Sequence, residues 1–299
     1  MPAPQTVEVE IDGRPLKLSN LDKVLWPATG FTKGQMIDYY ARVAPVMVPH
    51  LAGRAITLRR YPNGVDAKSF FEKNCPSHRP DWLETVSMGD VAYCRLDEQA
   101  ALVWTANLAA IELHPTLAAA PDLERPTTVV FDLDPGAPAD VVTCARVALI
   151  IRESLDHLGL QAWAKTSGSK GLQLYVPLNN AVGYEQTRSF SLALARLVEK
   201  SHPDLVVTTQ DKAVRAHKVL IDWSQNVASK TTVGVYSLRA RPTPSASTPV
   251  TWDEVEDAVG SGKGTGLQFD AAAVLERVEQ HGDLMAPVLA VTQKLPELG

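Results

Sequence analysis

The chain has 299 residues, 45% hydrophobic and 21% charged, with a formal charge of −5. This is the composition of an ordinary globular protein, long enough for one large domain or two closely packed ones, and not of a disordered chain. It lacks an apolar run of about 18 residues and a basic-then-apolar leader, so no membrane span or signal peptide is expected. The acidic balance argues against a protein that coats nucleic acid non-specifically, yet it is compatible with a local basic groove.

In chain order, Val7-Glu8-Val9-Glu10-Ile11 alternates and breaks at Asp12-Gly13, which predicts a hairpin over residues 7–18. A polar loop with Pro27 and Gly30 follows. Met36, Ile37, Tyr40 and Val43 have helical spacing, so residues 32–46 are expected to form a helix capped by Thr32. Residues 55–61 read as a strand and Asn63-Gly64 as a turn. Beyond an irregular stretch over 74–82 come a strand at 91–95, a helix at 98–109 and a short strand at 111–114. The three cysteines, Cys75, Cys94 and Cys144, are widely separated and form no C-x-x-C pair. Neither a disulfide framework nor a zinc site is expected, in keeping with a reducing cytoplasm.

The second half alternates strand and helix: strand 128–133, helix 139–158 closed by Gly159, strands 162–166 and 171–177 around a glycine turn, helix 184–201 and strand 219–223. Residues 241–249, rich in Pro, Ser and Thr, read as an exposed loop, and short helices at 252–259 and 271–281 close the chain. Hairpin-like strand pairs outnumber strand–helix–strand units. The fold class is therefore α+β, with a mixed, mostly antiparallel central sheet flanked by helices.

Three segments carry candidate chemistry. In Val129-Val130-Phe131-Asp132-Leu133-Asp134-Pro135 a buried strand ends in two carboxylates that point to one face, with Leu133 on the other. Like charges on a buried strand repel, and a divalent Mg²⁺ or Mn²⁺ relieves them with hard oxygen ligands. An isolated D-x-D more often marks a solvated strand end. Next comes Lys165-Thr166-Ser167-Gly168-Ser169-Lys170-Gly171, whose small residues let backbone N–H groups approach an anion, with Ser167 and Lys170 as added donors. It is not a Walker A loop, and on its own an ordinary hairpin turn is the commoner explanation. In the third, Lys218-Val219-Leu220-Ile221-Asp222, another carboxylate ends an apolar strand close to Arg215. Singly, such an Asp is most often a turn initiator. Together with Arg215, Lys218, Lys230, Arg239 and Arg241, the set suits a two-metal nucleotidyl-transfer site, in which carboxylates hold two ions about 4 Å apart.

The segments Phe131-Asp132-Leu133-Asp134-Pro135, Ser167-Gly168-Ser169-Lys170-Gly171-Leu172 and Ile221-Asp222-Trp223-Ser224-Gln225-Asn226 resemble the polymerase domain of bacterial DNA ligase D, of the archaeo-eukaryotic primase superfamily. The likeness extends to residues 18–33, Arg60-Tyr61-Pro62-Asn63-Gly64-Val65-Asp66, Phe70-Phe71-Glu72-Lys73, Glu112-Leu113-His114 and Tyr236-Ser237-Leu238-Arg239-Ala240-Arg241, nearly the whole chain. The resemblance implies one primase-polymerase-like domain over 1–299 with an RRM-like catalytic core. Its parts would be an N-terminal α/β subregion that binds DNA ends (1–125), a metal and nucleotide core (126–245) and a helical closure (250–299). It also implies a ribonucleotide-preferring, template-directed nucleotidyltransferase that uses Mn²⁺ or Mg²⁺ and NTPs or dNTPs. Such an enzyme fills short gaps or extends ends in non-homologous end joining, beside a separate DNA ligase and end-binding proteins. Its location would be cytoplasmic, at the nucleoid during repair.

By the same resemblance Asp132, Asp134 and Asp222 are catalytic metal ligands. His114, Ser167, Lys170, Gln173, Arg215, Arg239 and Arg241 hold the nucleotide; Asn20, Lys23 and Lys33 grip a 5′-phosphate; Phe70 and Phe71 stack on the template. Two lysines and an amide select a phosphate end by its extra charge, and an exposed aromatic stacks on a base for about 1–3 kcal/mol. Because adjacent strand residues face opposite ways, one of the two phenylalanines is expected to be buried. The chain departs from the family turn, Ser-Gly-x-Lys-Gly-x-His, by carrying Gln173 in the last position, which is neutral. A catalytically weakened module that binds DNA ends is thus the alternative. A sugar transferase with D-x-D explains the aspartates but not the Asp222 strand or the paired lysines.

Overall fold

A computed structural model describes residues 6–297. The chain divides into two compact units, Met1–Thr116 with Val233–Ala246 and Phe269–Asp283, and Leu117–Thr232 with Ser247–Gln268 and Leu284–Gly299. Among the described residues no helix is long and apolar enough to cross a membrane.

The first unit opens with the expected hairpin, β1 (Thr6–Ile11) and β2 (Arg14–Ser19), paired antiparallel around Asp12-Gly13. A smaller hairpin, β3 (Val24–Trp26) and β4 (Phe31–Thr32), leads into α1 (Lys33–Leu51). Thr32 caps α1 with a reciprocal pair of bonds, its Oγ1 accepting from the Gln35 N–H and the Gln35 Oε1 accepting from its own N–H. The helix runs past residue 46, through Pro45 and Pro49, because Met47 and Leu51 continue the buried stripe begun at Val43. That burial outweighs the two missing backbone donors. The sheet that follows holds β5 (Ile56–Arg60), β6 (Phe70–Glu72), β7 (Thr85–Met88) and β8 (Val91–Cys94). After α2 (Gln99–Asn107) comes β9 (Ala110–Pro115), which pairs with β5.

Two expectations fail in this unit. Cys75 and Cys94 form a disulfide, with Cα atoms 4.8 Å apart across a sequence separation of 19. The Cys75 N–H donates to the Ala92 carbonyl, so the segment after β6 lies along β8 and brings the thiols together. Nothing in the cysteine spacing signals that pairing. Phe70 and Phe71 are both exposed, at 44% and 60%, because β6 is a three-residue edge strand bonded only to β5.

The second unit is built on β12 (Thr128–Pro135), preceded by the short pair β10 (Ala118–Ala119) and β11 (Asp122–Pro126). Then follow α3 (Val141–His157), β13 (Trp163–Thr166), β14 (Leu172–Pro177), α4 (Tyr184–Ser201), β15 (Val206–Val207), β16 (Val219–Asp222), β17 (Pro249–Val250) and α5 (Trp252–Ser261). The sheet order is β15-β16-β12-β14-β13-β17, antiparallel except for the pair β15–β16. The class is α+β with a mixed, mostly antiparallel sheet. Val129, Phe131 and Leu133 of β12 are fully buried, and α3 and α4 pack against this strand.

Residues 241–249 are not an exposed loop throughout. Arg241 to Thr243 are exposed, whereas Ala246, Ser247, Thr248 and Pro249 are buried and pass into β17 beside β13. Ser247 and Thr248 are accommodated there because Ser247 Oγ donates to the Thr166 carbonyl and the Thr248 N–H donates to Thr166 Oγ1.

Gly171 sits where β14 meets β12, and a Cβ on it would lie 2.0 Å from the Leu133 carbonyl oxygen. Gly171→Ala should lower the unfolding free energy by at least about 2 kcal/mol through overpacking against backbone. Gly266→Ala, with open space around it, should change it by less than about 0.5 kcal/mol. Equal urea midpoints for the two variants would contradict this close approach.

Candidate nucleotidyl-transfer site

The register of the second sheet sets the acids side by side. Asp132 stands opposite Asp222 on one flank and opposite Gln173 on the other, and Gln173 in turn stands opposite Lys165. Residues directly opposite in an antiparallel ladder share a face. One row therefore crosses four strands as carboxylate, carboxylate, amide and ammonium. Asp134 lies two residues further along β12 on the same face and is exposed at the strand end.

Each acid is held differently. Asp222 is buried and starts the turn after β16: its Oδ1 accepts from the Ser224 N–H and hydroxyl, its Oδ2 from Gln225 Nε2. Its turn-forming and site-forming readings are thus compatible. Asn226 then bonds both backbone groups of Val130, each at 2.8 Å, which pins that turn to β12. Asp132 accepts from Gln173 Nε2 at 3.0 Å. Burial pushes its carboxyl up to about 7, and the Asp134 and Asp222 charges add to this while Gln173 and Lys165 oppose it. Asp134 lies 3.9 Å from Arg215 Nη2.

The glycine turn between β13 and β14 closes on Ser167. Its Oγ accepts from the N–H groups of Ser169 and Gly171, with Gly168 at φ +67°, and Lys170 is exposed. Gln173 is buried, its Oε1 taken by Lys165 Nζ at 2.5 Å and its Nε2 by Asp132.

Among the described residues no three His, Cys, Asp or Glu side chains stand together as a metal-binding group. The chemistry of the donors nevertheless fits a divalent ion. Asp132, Asp134 and Asp222 offer only hard oxygens, and Asp132 carries a burden of like charge that a cation relieves.

In the first unit a buried glutamate that the sequence reading did not single out, Glu112 on β9, organises the basic residues. It lies 3.0 Å from His114 Nε2, 3.4 Å from Arg59 Nη1 and 3.4 Å from Arg239 Nε, and it accepts from the Ala240 N–H. Burial pushes its carboxyl up, but the His114 hydrogen bond and the Arg239 charge outweigh this and hold it at about 2. Burial, the largest cause, pushes His114 down, while the hydrogen bond and charge of Glu112 push it up. Arg59 also lies over the rings of Tyr61 and Phe71, and Phe71 meets His114 edge-on. The one sequence signal for Glu112 is its position two residues before His114, on the same strand face. Arg241 is exposed beyond Arg239.

The segment before α1 gathers the remaining cations. Lys33 is only 5% exposed and donates Nζ to the Ser19 carbonyl at 2.6 Å, while Lys23 Nζ reaches Asn63 Oδ1. Asn20 takes φ +55° and its carbonyl accepts from the Lys23 N–H. Burial, then the Lys23 and Arg60 charges, lower Lys33 to about 8. Among the described residues neither lysine is ion-paired. This excess of positive charge suits an anion. Arg60, paired with Glu72, lies over Phe70.

Comparison with known proteins points the same way. The family model described as "LigD, primase-polymerase domain" matches residues 32–285. The Multifunctional non-homologous end joining protein LigD of Mycolicibacterium smegmatis is 42% identical over 91% of this chain, and the Bifunctional non-homologous end joining protein LigD of Bacillus subtilis is 31% identical over 89%. The chain spans 36% and 43% of those two relatives. A solved structure described as the polymerase domain from Mycobacterium tuberculosis ligase D in complex with DNA superposes with a TM-score of 0.85. That structure is 40% identical, and the match covers 93% of this chain and 99% of that one.

Glu112 gives a test of the buried network. Lowered from 4.5 to about 2, it contributes about 3 kcal/mol to stability above pH 4.5. The contribution falls as pH drops through the unfolded value toward the folded one. The difference in unfolding free energy between the parent and Glu112→Gln should therefore shrink by about half as pH falls from 5 to about 3.2. A difference independent of pH would show that the carboxylate charge is not what the cations hold.

Proposed function

Because the chain belongs to the LigD primase-polymerase domain family, we propose that it is a template-directed nucleotidyltransferase that fills short gaps or extends ends in DNA break repair, with a preference for ribonucleotides. The observation that carries this reading is the ladder register that sets Asp222 opposite Asp132, with Asp134 on the same face and the Ser167–Gly171 turn closing the neighbouring hairpin.

In this reading Asp132, Asp134 and Asp222 hold two Mn²⁺ or Mg²⁺ ions. When bound, such ions activate a primer 3′-hydroxyl and neutralise charge on the triphosphate. The protein's own groups bind and orient. In the second unit Ser167, Lys170 and Arg215 offer a hydroxyl and two positive charges to an incoming NTP or dNTP; in the first, His114, Arg239 and Arg241 are assigned to nucleotide binding by the family resemblance. Glu112 restrains His114 and Arg239, which fixes the direction of their donors. The Gln173 amide bonds both Lys165 and Asp132, which gives it the part of holding Asp132. DNA binding is supported by the related polymerase domain solved with DNA. Asn20, Lys23 and Lys33 are assigned to the 5′-phosphate bordering a gap, and the exposed rings of Phe70 and Phe71, each backed by an arginine, to unpaired template bases.

Primer extension on a 5′-phosphorylated gapped duplex with Mn²⁺ and ribonucleotides tests the reaction. Asp132→Ala/Asp134→Ala should reduce incorporation by at least about a thousandfold, as expected where charge stabilisation dominates. Incorporation equal to that of the parent overturns the assignment. The phosphate site has its own signature in pH. Lys33 loses its proton as pH rises through about 8, so the preference for a 5′-phosphorylated gap over the unphosphorylated one should be greatest near pH 7 and decline through pH 8 toward pH 9.5. Losing one charge-assisted bond corresponds to about tenfold or more in affinity. Lys33→Met should bind with the lower preference at every pH. An unchanged preference from pH 7 to 9.5 in the parent would remove Lys33 from the site.

A further inference from the structure

Lys165 is the charged end of the row across the second sheet, and none of the chemistry described so far uses it. Its side chain is fully buried, at 0% exposure. Burying an ammonium is costly, and a methionine of similar length fills the same space without that cost. What the charge achieves is visible in its partners. Nζ donates to Gln173 Oε1 at 2.5 Å and to Ser247 Oγ at 2.6 Å, and it lies over the Tyr175 ring at 5.4 Å from the centroid. The Ser247 hydroxyl donates its hydrogen bond to the Thr166 carbonyl, so it meets the ammonium as an acceptor held in one orientation.

The consequence falls on Gln173. An amide between an ammonium and a carboxylate has one satisfactory orientation, with the oxygen toward the cation and the NH₂ toward the anion. Lys165 therefore selects the orientation in which Nε2 donates to Asp132 Oδ1. That bond leaves the carboxylate one defined direction on the face it shares with Asp134 and Asp222. A neutral histidine at this position offers the same pair of functions, one nitrogen accepting and the other donating.

We infer that Lys165 is a positioning residue for nucleotidyl transfer, acting through the Gln173 amide to orient the Asp132 carboxylate. The inference rests on the polymerase reading and deepens it: replacing the family histidine by Gln173 keeps the relay and does not break the site.

The test is a double-mutant cycle on the full chain, with primer extension for kcat and nucleotide KM, and Mn²⁺ binding by the protein alone followed by electron paramagnetic resonance. Lys165→Met should lower kcat at least fivefold with KM within twofold. It should bind Mn²⁺ as tightly as the parent or more tightly, since a nearby cation is gone. Gln173→Leu should lose a similar factor, Lys165→Met/Gln173→Leu no more than the weaker single variant, and Gln173→His should keep at least a third of the parent kcat. Gln173→Leu, which leaves the ammonium in place, carries the test should Lys165→Met not fold. The relay is overturned if kcat falls less than fivefold in either single variant that folds, if their losses multiply in the double variant, if Mn²⁺ affinity falls in step with kcat, or if Gln173→His loses as much as Gln173→Leu. A parent that incorporates no nucleotide overturns the polymerase reading itself; a parent that incorporates while the variants behave in these other ways overturns the relay alone.

Discussion

Two carboxylates set opposite each other on adjacent antiparallel strands are the constraint around which the second unit is organised. Like charges so placed repel, and slipping the strands by one residue would separate them. The chain cannot take that route. Val129, Phe131 and Leu133 are fully buried on the other face of β12, and a one-residue shift would carry Phe131 and Leu133 onto the more open face of Asp132 and Asp134. Hydrophobic burial thus holds Asp132 against Asp222, and polar groups around them bear the electrostatic cost. Asp222 is met by three donors of its own turn, Asp132 by the Gln173 amide with Lys165 behind it, and Asp134 by solvent and the distant Arg215 guanidinium.

The first unit handles charge in the opposite sense. Glu112 is a single buried acid among His114, Arg59 and Arg239, and its low pKa shows that those neighbours more than offset its desolvation. Lys23, Lys33 and Arg60 form a basic group in which Glu72 answers only the arginine, and Lys33 is destabilised in its charged form.

Local signals were strong where they are self-contained. The hairpin at Asp12-Gly13, the Thr32 cap and the helix Tyr184–Ser201 rest on neighbouring residues and appear where the sequence puts them. The acids were legible for the same reason, as each ends an apolar strand. Features that depend on distant segments were not. Helix α1 outruns its prolines because Met47 and Leu51 find a core to enter. Phe70 and Phe71 are both exposed because the short edge strand β6 leaves both faces open, whereas alternation alone assumes that one face is covered. Cys75 meets Cys94 through a backbone pairing that no cysteine pattern encodes. Ser247 and Thr248 look like loop residues until β13 supplies their hydrogen-bond partners.

The sequence by itself determined the fold class, the strand-terminal carboxylates, the glycine turn and the family, because each is written in contiguous residues whose periodicity or order is informative alone. The tertiary structure decided which charges meet. Lys165 and Asp132 are separated in the chain by a whole helix, and only the order β16-β12-β14-β13 places them in one row with Gln173 between. A hydrogen bond forms only at about 3 Å, so the role of a buried charge is fixed by the strand next to it and not by the residues next to it in sequence.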